Sequence, residues 1–139
     1  MKILLAADGS QYTQKALDFI AVNKSLLGDD ELVVINVQAP MPGRVTTMLG
    51  SAAVASYHAE EANKVLEPVR KFLDGQAMRY NCYSVIGAIV TEIVFAAEKE
   101  QAQMIVMGTH GHGLIGRALM GSVAQRVVVD SPIPVLLVK

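Results

Sequence analysis

Apolar residues fall along this chain in short unbroken runs, and between those runs they recur at helical intervals. Ile3-Leu4-Leu5-Ala6-Ala7 is continuous rather than alternating, as in a strand covered on both faces, so residues 2–7 are predicted to form a first strand. Asp8-Gly9-Ser10 supplies a turn with helix-capping chemistry. Ala16, Phe19, Ile20, Leu26 and Leu27 then follow a helical period, interrupted at Asn23, which predicts a helix over 12–27 that Gly28-Asp29-Asp30 stops. Leu32, Val33, Val34, Ile35 and Val37 make a second strand over 31–37.

Residues 38–50 carry Pro40, Pro42, Gly43 and Gly50 and read as a loop of about a dozen residues. A long helical pattern over 51–73 sets Val54, Val65, Val69 and Phe72 on one side, with a kink expected at Pro68. A weaker strand over 79–86, a helix over 91–100, a strand over 102–107, a helix over 122–130 and a strand over 134–138 complete the pattern. This alternation predicts one α/β domain over 1–139, an open five-stranded parallel sheet with helices on both faces. Ligands bind such sheets at the carboxyl ends of the strands, and Asp8, Val37, Gly87 and Gly108 all fall there.

Composition narrows the classes. A chain of 139 residues is long enough for a real core, and 52% apolar content fits a sheet buried on both faces or a large subunit interface. The formal net charge of −1, with no basic run longer than Arg70-Lys71, argues against nucleic acid and acidic membrane surfaces as partners. Cys82 is the single cysteine, so no intrachain disulfide forms; it reads as a small hydrophobe in a reducing compartment. Asp8 interrupts the apolar start too early for a secretory segment, and no apolar stretch nears the roughly 18 residues of a spanning helix. A soluble, cytoplasmic protein without membrane insertion is expected.

The chemistry concentrates after the strand ending at Met107. Gly108, Gly111, Gly113, Gly116 and Gly121 lie between it and the helix that begins at Ser122. Glycine lets backbone approach a ligand closely, and a helix N-terminus offers unpaired N–H groups and a positive dipole end, so this series suits a phosphate. Gly111-His112-Gly113-Leu114-Ile115-Gly116 satisfies a G-x-G-x-x-G string but lacks the following βαβ unit and acidic residue of a dinucleotide site. A P-loop would need lysine and a hydroxyl where Arg117 and Ala118 stand. His110 and His112 lack a third protein ligand for zinc, with His58 the only other histidine, and read as loop histidines near a nucleotide; no metal-ligating protein residues are expected. Arg117 either neutralises a terminal phosphate or is solvated. Asp8 either hydrogen-bonds a ligand or caps the next helix.

The wider spacing Gly108-x2-Gly111-x9-Gly121-Ser122 resembles the nucleotide-binding branch of the universal stress protein family. The resemblance extends from Lys2 to Lys139. It includes the strand ending in Asp8-Gly9-Ser10, the strand ending at Val37, Gly87 ahead of Thr91-Glu92-Ile93, Met107-Gly108-Thr109-His110-Gly111, Gly121-Ser122-Val123-Ala124 and the closing run from Pro132 to Val138. It implies a Rossmann-like fold of the adenine nucleotide alpha hydrolase-like type. It also implies a site in which Ala6, Asp8 and Val37 line the adenosine end, Met107 and Gly108 meet adenine and ribose, and Gly111, Gly121, Ser122, Val123 and Ala124 hold phosphates. Two departures stand out: Ile89 where the family often has proline, and Ala124 where it often has threonine.

The expected function is therefore an ATP-binding regulatory protein of the stress response. ADP or AMP are the other candidate ligands, and magnesium or manganese would ride on the phosphates. A nucleotide-free dimerising adaptor and a slow ATPase are the alternatives; no P-loop lysine, carboxylate pair or nucleophile–base pair is present to drive rapid phosphoryl transfer. A homodimer or larger assembly is expected through the apolar terminal strand Val135–Val138, besides an unknown protein partner.

Overall fold

The computed structural model describes residues 1–112 and 120–139, and Gly113, Gly116 and Arg117 lie outside the described residues. Strands β1 (Ile3–Ala6), β2 (Leu32–Gln38), β3 (Tyr80–Ile86), β4 (Met104–Gly108) and β5 (Val135–Val138) form one parallel sheet in the order β3-β2-β1-β4-β5. Leu5 of β1 stands beside Val34 of β2 on one side and Val106 of β4 on the other. The expected α/β architecture is therefore the one observed.

Helices α1 (Gln11–Val22), α2 (Gly43–Leu49), α3 (Ser51–Gly75), α4 (Ile89–Lys99) and α5 (Ser122–Asp130) connect the strands. The chain moves outward from β1 to β3, then crosses back to β4 and β5. Right-handed crossovers in opposite directions place their helices on opposite faces. Accordingly Leu5, Leu17, Ile20, Leu66 and Leu73 pack with α1 and α3 on one face, while Leu4, Ile35, Ile93, Ala97 and Val127 pack with α4 and α5 on the other. Consecutive β1 residues thus enter different cores, which is why its sequence is apolar without alternation. Each fully buried leucine contributes about 1.5–3 kcal/mol of transfer free energy.

Several boundaries differ from the sequence reading. The segment expected as a loop holds α2, a short helix none of whose residues is buried, so it left no apolar stripe to read. Helix α1 ends at Val22, where the Asn23 side chain and backbone N–H both reach the Phe19 carbonyl, at 2.8 and 3.1 Å, and the rest of that pattern is a 3-10 turn over Lys24–Leu26. In α3, Val69 of the expected side is buried and Val65 and Phe72 pack partly buried against the same core, while the other buried positions are His58, Leu66 and Leu73. Helix α4 starts two residues earlier than expected, at Ile89. Pro68 lies inside α3, which runs on to Gly75.

Candidate functional site

The strand order reverses between β1 and β4, and backbone leaves the sheet there in opposite directions, opening a crevice at the carboxyl edge. A cavity of about 320 Å³ fills it. Ala6, Asp8, Val37, Met107, Gly108, Gly111, Gly121, Ser122, Val123 and Ala124, the ten residues singled out in the sequence, all line this cavity. Gly87 lines a neighbouring depression with Pro40 and Arg126, which shares Ile89, Ser122 and Val123 with the cavity lining.

The turn after β1 is held by a closed polar cluster. Asp8 Oδ1 accepts from Ser10 N–H at 2.9 Å and from the Thr13 hydroxyl at 2.9 Å. The Thr13 oxygen in turn accepts from the N–H groups of Asp8 and Gly9 at 3.0 and 3.2 Å. Ser10, not Asp8, caps α1, its Oγ accepting from Tyr12 N–H at 3.3 Å. Asp8 therefore uses one carboxylate oxygen to brace its own turn and turns the other toward the glycine segment: a Cβ on Gly111 would sit 2.7 Å from Asp8 Oδ2.

The glycine segment is pinned where it leaves and re-enters the fold. Thr109 N–H reaches the Val138 carbonyl at 2.9 Å, and the Thr109 carbonyl accepts from Gly121 N–H at 2.6 Å. The end of β4 and the start of α5 are thereby joined directly. Gly108 is needed because a Cβ there would collide with Cβ of Tyr12. His112 Nε2–H donates to the Asp8 carbonyl at 2.7 Å, tying the segment to the end of β1. His110 packs against Tyr12 with ring centroids 5.1 Å apart and planes inclined at 38°, its Nδ1 2.8 Å from the Thr109 hydroxyl.

The two ends of the cavity differ in chemistry. Ile35, Val37, Ile89, Ile93 and Met107 make an apolar end suited to a flat ring. At the other end α5 begins at Ser122 after Gly121, with no side-chain cap on its first-turn N–H groups among the described residues. Such a helix start presents donors and a partial positive charge to an anion. The Val37 backbone adds a directional element. Ile35 C=O receives Ala7 N–H at 2.9 Å on the β1 side of β2, and Gln38 C=O receives Gly87 N–H at 2.9 Å on the β3 side. By the two-residue alternation of a strand, Val37 aims its N–H and C=O past the end of β1 into the crevice. Behind it, buried Asn36 fixes this spacing, its Nδ2 donating to Ala7 C=O at 2.9 Å.

The sequence profile of the universal stress protein family matches residues 1–139. The chain belongs to that family. Universal stress protein MJ0531 of Methanocaldococcus jannaschii is 34% identical, across 99% of this chain and 81% of that protein. The solved structure of MJ0577 from the same organism aligns with a TM-score of 0.86 at 30% identity, covering 99% of this chain and 94% of that one. A universal stress protein of Archaeoglobus fulgidus in complex with dAMP shares the fold, with a TM-score of 0.69 at 23% identity over 100% of this chain and 98% of that one.

Thr13, Ile35, Ile89, Ile93 and Thr109 were not assigned to the site from the sequence, yet they line the same cavity. Thr13 carries a readable signal, a hydroxyl three residues after the capping Ser10 and next to a polar turn. The isoleucines carry none, because wall and core positions have the same composition. His58 stands apart from the cavity lining: it is buried on α3, where its Nδ1–H donates to Gln38 Oε1 at 2.8 Å while Gln38 Nε2 donates to the His58 carbonyl at 2.8 Å. Among the described residues no three His, Cys, Asp or Glu side chains cluster as a metal site.

Proposed function

We propose that the cavity binds an adenine nucleotide, ATP or else ADP or AMP, and that occupancy modulates conformation or partner binding in a stress response. The observation that carries this reading is the cavity's polarity: apolar walls at the Val37 and Met107 end, uncapped helix N–H groups at Ser122. A family relative in complex with dAMP supports it. Adenine between Ile35, Met107 and Ile93 would meet the Val37 backbone with its edge, accepting at N1 and donating from its amino group. Asp8 Oδ2 would accept from a ribose hydroxyl. Phosphates would lie across Gly111, Gly121, Ser122, Val123 and Ala124, with magnesium or manganese bridging their free oxygens. Ala124 forgoes the hydroxyl that threonine would offer, a difference of about 1 kcal/mol.

Hydrolysis is at most slow on this reading. The cavity lining supplies anion donors, and among the described residues it holds neither a lysine nor a carboxylate pair to drive phosphoryl transfer. We further propose self-association through β5, an edge strand whose four residues are all half-buried. Among the described residues no helix is long and apolar enough to cross a membrane.

Titration with ATP and GTP tests the base assignment. Guanine presents an acceptor at O6 and a donor at N1, the reverse of what the Val37 groups require. ATP is expected to bind at least about tenfold more tightly, equivalent to 1.4 kcal/mol. Equal affinities would contradict the placement of the base.

A further inference from the structure

Among the described residues the ionisable side chains lining the cavity are Asp8, His110 and His112, and Arg126 lines the neighbouring depression. Among the described residues no lysine or arginine lines the cavity itself. A bound phosphate brings up to about two negative charges at neutral pH and faces the Asp8 carboxylate, of the same sign. Backbone donors supply only partial charge. Among the described residues, the cavity-lining side chains that can carry a full one are the two imidazoles, a class of group that gains its charge between about pH 5 and 8.

Resting on the nucleotide reading above, we propose that His110 and His112 are the charge-compensating residues of the site, taking up a proton as phosphates bind, so that nucleotide affinity is linked to pH. Their positions are fixed in advance. The His112 ring is held by its Nε2–H bond to the Asp8 carbonyl, which leaves Nδ1 as the position for a second proton. His110 is held by the Tyr12 ring and Thr109.

Charged groups of both signs surround the two rings. From the β1–α1 turn, Asp8 favours imidazolium. From α1, Lys15 lies over the Tyr12 ring, 5.1 Å from its centroid, and opposes it. The positive start of α5 opposes it as well. Helix α3 approaches the same turn through Val65, and its Glu61 and Lys64 pair with each other at 2.9 Å. A phosphate cancels the opposition of the α5 start and tips the balance toward the protonated rings.

Calorimetric titration of ATP at pH 7.5 in EDTA, in two buffers of different ionisation enthalpy, counts the protons exchanged. The terminal phosphate is almost fully ionised at that pH, so uptake reports on the protein. A fractional proton is expected to enter with ATP and none with adenosine, with ATP affinity rising toward tenfold per pH unit between pH 8.5 and 7. His110→Asn with His112→Gln keeps amide groups near the Nδ1 and Nε2 positions and is expected to bind ATP without uptake. Histidine ring-proton NMR of the unmodified protein reads the same event, with two imidazole titrations moving upward on ATP addition and His58 unmoved. ATP binding without proton uptake, uptake that persists in the double variant, or imidazole titrations that stay in place would each overturn the proposal while leaving nucleotide binding intact. Failure to bind ATP at any pH would overturn both.

Discussion

Gly108 ends β4 with Tyr12 of α1 lying against its Cα, so an alanine there must push α1 off the sheet or displace the start of the glycine segment. Overpacking of this kind costs about 1–3 kcal/mol. Gly108→Ala is expected to lower the urea midpoint accordingly and to weaken ATP binding; unchanged values for both would contradict the tight approach. The glycine spacing made this residue legible in the sequence, as it did Gly111 and Gly121. Asp8 was legible as a site residue, while its division of labour was not: one oxygen braces Ser10 and Thr13 and the other faces Gly111, an arrangement that depends on residues over a hundred positions apart. Cys82 matches its reading as a small hydrophobe, since burial pushes its thiol up to about 11.

At the scale of elements, strands were easier to read than helices. Strands β1 and β4 are buried on both faces, and unbroken apolar runs mark them. Helix α2 buries none of its residues, and the first half of α3 buries only His58, so neither offers a stripe. His58 is recognisable only in three dimensions, through its paired hydrogen bonds to Gln38. The two regions should respond differently to truncation. Leu66 is 2% exposed between α3 and the sheet, and Leu66→Ala is expected to cost about 2–5 kcal/mol in urea denaturation. Met48 of α2 is 83% exposed, and Met48→Ala should stay within about 0.5 kcal/mol. Equal losses would mean that α2 is packed as firmly as α3.

For the whole molecule, the alternation of runs and helical segments was enough to predict a parallel sheet with two helical layers, because right-handed crossovers leave few alternatives. The strand order, and with it the crevice between β1 and β4, was not read from the sequence, because periodicity does not say which strands are neighbours. The sheet ends at β3 and β5. Beside β5, Val128 and Val129 of α5 are exposed, Val129 to 81%. An open edge next to exposed apolar residues is suited to a second copy of the chain about a two-fold axis. Light scattering at micromolar concentration is expected to give twice the mass of the 14.9 kDa chain. Lysine at Leu136 and Val138 together should shift the protein toward monomer, and a wild-type monomer would contradict assembly through this edge.

The claim on which the account depends is that the crevice at the β1–β4 switch holds nucleotide phosphates at the start of α5. Titrating ATP into the wild-type protein and Gly121→Val tests it most directly, because Gly121 is buried at the α5 start and joined to Thr109. The account predicts saturable one-to-one binding by the wild type and loss of at least about tenfold in affinity, or 1.4 kcal/mol, in a variant that remains folded by circular dichroism. Equal binding of ATP by the two proteins, or no binding by the wild type, would contradict it.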